Sequence, residues 1–188
     1  MKQCDYILAS RSPRRKELLR LVVPEFTVQV SGVDESLVQE QIPERLVRRL
    51  ATQKAMAVAR EHPDACVIGC DTVVVARHNE ILGIPQDAQD VRRMLLLLSG
   101  TTHRVMSGVC VCYQGKQSVF HKTTYVTFMP LSEEDIHWYL QTGEPFDKAG
   151  AYGIQGYGGL LVEKIRGDFY NVVGLPVQSL RKILQKMK

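Results

Sequence analysis

Apolar residues recur along this chain in two periods, and the points where the period changes mark its elements. Tyr6–Ala9 is a short apolar run that breaks into Ser10-Arg11-Ser12-Pro13. A helical pattern then runs through Leu18, Leu19 and Leu21–Val23. Ser12 suits an N-cap, and Pro13 suits the first helical position, where a missing N–H costs nothing. The segment therefore reads strand, turn, helix. Phe26–Val30 alternates and predicts a second strand, ending near Gly32 and the acidic pair Asp34-Glu35. From Pro43 to about Arg60, Leu46 and Leu50, with Val47, Ala51, Ala55 and Ala59, form stripes at i, i+4 spacing that predict a long helix. Cys66–Gly69 and Val73–Ala76 flank Asp71-Thr72 and predict a strand, bulged or continuous through the acid. Asp87 can cap a helix through Val91–Leu98 that stops at Ser99-Gly100. Val105–Tyr113 and Ser118–Met129 flank Gln114-Gly115-Lys116, which predicts a hairpin. Ser132 opens a helix with Glu133, Glu134 and Asp135 in its first turn, ended by Gly143. Leu160–Val162 reads as a strand, and Pro176 begins a last helix reaching Met187. Strands and helices interleave without a repeat or a flexible linker. The class is α/β, or α+β, with a mixed sheet.

Composition narrows the choice. A length of 188 residues suits one domain, or two lobes sharing a core, and is enough to bury a sizeable interior. With 45% hydrophobic and 23% charged residues the chain is neither disordered nor fibrous. Its net charge is +4, from 24 basic and 20 acidic residues. Residues 181–188 carry four cations and no acid, so the remainder is neutral. Residues 11–20 hold five cations against Glu17 alone. Two local basic segments on a neutral chain argue against a protein that coats nucleic acid. No apolar run approaches the roughly 18–20 residues of a membrane span, and Tyr6–Ala9 is too short for a signal peptide. Five cysteines lie without a nearby histidine pair, four of them in apolar runs, and read as reduced core residues of a cytosolic protein.

Three constellations can carry chemistry. The first is Ser10-Arg11-Ser12-Pro13-Arg14-Arg15 at the strand-to-helix junction. A helix start presents free N–H groups and partial positive charge, so arginines there suit an arriving anion. A solvated basic face is the alternative. The second is Asp71, an acid inside an apolar strand, which needs a cation, a metal or hydrogen-bond donors. It reads as a general base or metal ligand, or as an acid satisfied by backbone donors at a bulge. Asp34-Glu35 is a further acidic candidate. Lys54 follows Leu46 and Leu50 on one helical row, where a lysine can also simply snorkel. The third is Asp147–Gly156, whose glycines suggest close backbone approach to a ligand or tight turns. It is neither a Walker A loop nor a GxGxxG fingerprint. Taken together, these parts suit a phosphate ester held by cations while carboxylates manage metal and water. No Ser-His-Asp arrangement suggests itself.

Leu8-Ala9-Ser10-Arg11-Ser12-Pro13-Arg14-Arg15-Lys16-Glu17-Leu18-Leu19 resembles the opening motif of the Maf-like nucleoside triphosphate pyrophosphatases. Gly69–Val74, Leu98-Ser99-Gly100 with His103, and Asp147–Gly156 match the family's later motifs in order. The resemblance spans essentially the whole chain and implies a single Maf-like domain over residues 1–188. It implies an elongated fold of two lobes, with a central mixed sheet and a cleft between the lobes. The implied reaction cleaves a nucleotide between its α- and β-phosphates, giving monophosphate and pyrophosphate with a divalent cation, Mg2+ or Mn2+. The implied setting is a cytoplasmic homodimer that binds neither nucleic acid nor membrane. Asp71 matches the catalytic acid and, with Glu35, the metal site. Ser10, Ser12, Arg14, Arg15, Lys54, Thr72, Lys148 and Gln155 are the implied substrate-binding residues. Among them Arg14, Thr72 and Gln155 match the positions that mark the dTTP/UTP branch. A pyrophosphatase for modified or other nucleotides, or a catalytically weak nucleotide-binding regulator, is the alternative. One departure supports the latter: where the family usually has a Lys-Pro step, this chain reads Gly83-Ile84-Pro85.

Overall fold

The computed structural model describes residues 5–187, and Cys4 lies outside them. Seven strands form one mixed sheet in the order β2-β1-β3-β5-β6-β7, with β4 against β3. The strands are β1 (Tyr6–Leu8), β2 (Thr27–Val28), β3 (Cys66–Val75), β4 (Ile81–Leu82), β5 (Thr102–Tyr113), β6 (Lys116–Phe128) and β7 (Val162–Arg166). The helices are α1 (Pro13–Arg20), α2 (Pro43–Ala59), α3 (Ala88–Leu98), α4 (Glu133–Gln141), α5 (Phe169–Val173) and α6 (Val177–Lys186). The chain is mixed α/β, as its interleaved pattern predicts. It divides into two compact units.

The first unit comprises residues up to Asp71, Ser107–Lys122 and the C-terminal stretch from Gly174. Strand β1 runs parallel to both β2 and β3, with Ile7 opposite Thr27 and Val67. Parallel pairing requires a long crossover, which the segment carrying α1 and α2 supplies. Two glycines let α2 lie directly on the sheet. A Cβ on Gly69 in β3 would stand 2.3 Å from the Ala51 carbonyl oxygen, and one on Gly108 in β5 would stand 2.2 Å from that of Val47. Ile7, Ala9, Ala51, Ala55, Val58, Val67 and Cys110 fill the interior beside them. Small residues on the helix and glycines on the strands thus bring backbone against backbone. Strand β2 is shorter than the alternation of Phe26–Val30 predicts. Thr27 and Val28 are both exposed, so burial does not extend the pairing.

The second unit comprises Thr72–Met106 and Thr123–Val173. Leu95, Leu98, Phe128, Ile136 and Tyr139 are fully buried in its core. Asp87 caps α3 and Ser132 caps α4, the latter in a reciprocal box with Asp135. Gly143, at φ +70°, ends the α4 segment. The run Leu160–Val162 is not a strand. Leu160 is exposed in a 3₁₀ turn, and β7 starts at Val162, opposite Phe128. The hairpin turn is the two residues Gln114-Gly115, both at positive φ, as the strand twist favours.

Candidate active site

Asp71 sits inside the continuous strand β3, and it is buried. Its Oδ1 lies 2.7 Å from Lys54 Nζ, which also lies 2.8 Å from Glu35 Oε1. Lys54 does not snorkel: it occupies the buried face of α2 with Ala51, Ala55 and Val58. An ammonium withdrawn from water is stable there because two carboxylates pair with it, Asp71 Oδ1 accepting a hydrogen bond from Nζ. Glu35 remains half exposed, at 49% of its side chain, so the trio opens on one side. Asp34 does not join it. Its carboxylate accepts from the backbone N–H and hydroxyl of Ser36, capping a 3₁₀ turn that presents Glu35. Those two bonds hold the Asp34 carboxyl below its ordinary range. Among the described residues no three His, Cys, Asp or Glu side chains gather as a metal cluster. The carboxylates here that could hold a cation are those of Asp71 and Glu35. Hard oxygen donors in that number fit Mg2+ or Mn2+, which take their other ligands from phosphates and water.

The junction before α1 is tightly ordered. Ser12 Oγ accepts from the Arg15 N–H, and Ser10 Oγ accepts from the Ser12 N–H. No acid lies in the first turn of α1. Arg14 is half-buried there, whereas Arg15 folds back. The Arg15 guanidinium donates to the carbonyls of Cys70 at 2.9 Å and Gly174 at 3.0 Å, and to Ser10 Oγ. It ties the helix start to the residue preceding Asp71. Ser10, Ser12, Arg14, Arg15, Glu35, Lys54 and Asp71 all belong to the first unit.

Lys148, Gln155 and Thr72 belong to the second unit. The glycine-rich loop there is organised by Glu144, a residue the sequence reading passes over. Its carboxylate accepts from the N–H groups of Tyr157 at 2.7 Å and Gly158 at 3.0 Å, and from the Tyr139 hydroxyl. A Cβ on Gly156 would stand 2.1 Å from Glu144 Oε2. The glycines leave room for a carboxylate of the protein itself. Burial, reinforced by Glu144, pushes the Tyr139 hydroxyl well above its ordinary range, so it remains a donor. Lys148 Nζ donates to the Glu144 carbonyl at 2.7 Å and pairs with Asp147. The Gly150 N–H donates to the Gly83 carbonyl, fixing the loop beside Ile84. Gln155 is exposed at the turn of this loop, and Thr72, next to Asp71 in β3, is half-buried.

Residues 5–187 match the family model described as Maf-like protein. The chain belongs to that family. Relatives named dTTP/UTP pyrophosphatase include one from Bacillus velezensis, 51% identical over 96% of this chain and 95% of its own. Another, from Clostridioides difficile, is 50% identical over 97% of this chain and 94% of its own. Among solved structures, the Ham1 protein of Staphylococcus aureus aligns with 98% of this chain and 100% of its own. Its TM-score is 0.54 at 13% identity, a likeness of fold alone.

In this Maf-like chain the motif histidine lies away from solvent. His103 is buried, with Nε2 2.8 Å from the Tyr152 hydroxyl and its ring edge-on to Phe128 and Tyr152. Its Nδ1 meets no hydrogen-bond partner among the described residues. Burial lowers its pKa to about 4, so the ring is neutral near pH 7. Through Tyr152 it packs against the middle of the glycine-rich loop. Ile84, where the resemblance implies a cation, is 60% exposed.

Proposed function

We propose that this Maf-like chain hydrolyses pyrimidine nucleoside triphosphates, dTTP and UTP foremost, to the monophosphate and pyrophosphate. The observation that carries the reading is the buried Lys54 ammonium shared by Asp71 and Glu35, in a chain half identical to relatives bearing that activity in their names. Glu35 is half exposed while Asp71 is buried, so a ligand can reach the cluster from the side of Glu35.

Asp71 is the acid that takes the proton of the attacking water or helps to hold the cation, and Glu35 shares that cation. A divalent cation held by the two carboxylates would neutralise the triphosphate and polarise the scissile anhydride. Lys54 links both carboxylates and supplies positive charge to phosphate oxygens. Arg14, with the N–H groups behind Ser12 at the start of α1, binds those oxygens. Ser10 belongs to the same subsite, and Arg15 serves it by positioning the helix start. Gln155 and Thr72 read the base or ribose, and Lys148 supports the phosphate side. A pocket that hydrogen-bonds base edges rejects a wrong base strongly, because buried polar groups are then left unpaired. The same reading makes the enzyme a cytoplasmic homodimer, which sedimentation of the full chain checks.

The test is a nucleotide panel assayed for pyrophosphate with Mg2+ or Mn2+. The expected outcome is a kcat/KM for dTTP and UTP above those for CTP and the purine triphosphates. Uniform rates across the bases would remove the roles of Gln155 and Thr72. Exposed Ile84 favours one second reading, a nucleotide-binding regulator, and tight binding without pyrophosphate release would support it instead.

A further inference from the structure

The glycine-rich loop of the second unit is anchored on both sides of Gln155. After it, Tyr157 and Gly158 donate their N–H groups to Glu144. Before it, the Tyr152 hydroxyl lies 2.8 Å from His103 Nε2, and both side chains are buried. Phe128 stands edge-on to each of those rings, with centroids 5.0 Å from His103 and 4.7 Å from Tyr152. His103 Nδ1 meets no hydrogen-bond partner among the described residues. A buried polar atom left unpaired is costly, and an aliphatic side chain would fill the site without it. Packing alone therefore does not account for a histidine here; its contact with the loop does. The backbone before Tyr152 is strained. Ala151 is fully buried at φ +62°, in the left-handed region that a residue with a Cβ disfavours. Gly150 is also left-handed, at φ +70°, and its N–H is held by the Gly83 carbonyl. Such a backbone persists only where its surroundings fix it, and the Tyr152 anchor fixes the far side.

We infer that His103 is a positioning residue for base selection: through the Tyr152 hydroxyl it fixes the segment that presents Gln155 to the nucleotide base. The inference rests on the role given to Gln155 under the proposed function. His103 acts through Tyr152, which stands three residues before Gln155 in the chain. With both anchors closed, Gln155 is held in one place, and a base that cannot match it leaves polar groups unpaired. With the His103 anchor lost, the strained turn relaxes and Gln155 can follow a wrong base. Selectivity is then lost before the chemistry is.

The test compares His103→Leu, His103→Gln and Tyr152→Phe with the parent in full-chain assays of pyrophosphate release from dTTP and CTP. Leucine fills the site without a polar atom, whereas glutamine restores a polar group that can meet the Tyr152 hydroxyl. In His103→Leu and Tyr152→Phe, kcat/KM for dTTP relative to CTP should fall about threefold to tenfold, the worth of one hydrogen bond. The fall should lie in KM for dTTP more than in kcat, and His103→Gln should recover most of it. The double variant of His103→Leu and Tyr152→Phe should lose little more than either alone, because both remove the same bond. A histidine that only fills the core would move stability and leave the ratio alone. Tyr152→Phe keeps the ring and its packing, so an unchanged ratio in that variant overturns the inference even if His103→Leu fails to fold. Equal losses for dTTP and CTP would overturn it too. A parent chain with no preference for dTTP would overturn the role of Gln155 itself, and this inference with it.

Discussion

Lys54 sits on the buried face of α2, and two carboxylates hold its ammonium at once. Each of the three charges depends on the others, because a buried ion without a partner is far more costly than the pair. Lys54→Met should therefore lower the unfolding free energy by about 3–5 kcal/mol, as read by urea denaturation. It should also abolish most activity, since Asp71 and Glu35 then repel. An unchanged denaturation midpoint would mean that the trio is not closed in solution. Position on a helical row predicts a lysine at the edge of an apolar stripe and goes no further. Its partners lie 17 and 19 residues away in sequence, and nothing local announces them. Asp71 was legible, because an acid in an apolar strand needs an explanation wherever it points. Arg15 was not. A basic run suggests phosphate contacts from both arginines, and only the fold shows Arg15 tied to the carbonyls of Cys70 and Gly174.

The elements that carry these residues are held by contacts a glycine alone permits. Gly69→Ala would place a methyl 2.3 Å from the Ala51 carbonyl oxygen, so α2 must lift from β3 and take Lys54 with it. Overpacking of this kind costs about 1–3 kcal/mol. We expect a lower melting temperature together with a fall in kcat larger than any rise in KM. A variant that melts earlier with kcat intact would separate the packing from the site. In the second unit, Glu144→Gln keeps the shape but sets an amide against donors. It should cost about 1.5–3 kcal/mol at the loop, the range for a hydrogen bond to a charged group. With Gln155 held between bonded positions, kcat/KM for dTTP should fall about tenfold or more, while CTP is affected less. Equal loss for every nucleotide would make Glu144 purely structural. Capped helices were legible in the sequence because Ser12, Asp87 and Ser132 mark helix starts by local chemistry. The glycine-rich loop was legible only as unusual. Its organiser lies before the glycines and reads as an ordinary surface acid, until the fold brings its carboxylate to Tyr157 and Gly158.

Over the whole molecule, most of the strand and helix order follows from periodicity; β4 and α5 are too short to show a period, and β2 and Leu160 depart at exposed positions. Pairing order does not follow from it, because parallel neighbours such as β1 and β3 are about 60 residues apart. Stability of the whole fold should also carry a signature of buried His103. Its pKa falls from an ordinary 6.5 to about 4 on folding. Between those values the unfolded chain binds the extra proton, so stability rises with pH across that window and is lost as pH falls through it. The loss should reach about 3 kcal/mol at the acid end, and His103→Gln should flatten that part of the stability curve. A parent chain equally stable at pH 4.5 and pH 7 would contradict a buried neutral ring.

One comparison decides whether the trio of Lys54, Asp71 and Glu35 is catalytic. Pyrophosphate release from dTTP is followed for the full chain and for Asp71→Asn, with folding of both checked by circular dichroism. Release should be rapid from the parent, with a loss of about 10²–10⁴ in kcat for the variant, the range for a displaced general base. A folded Asp71→Asn that releases pyrophosphate at the parent's rate would contradict a catalytic trio.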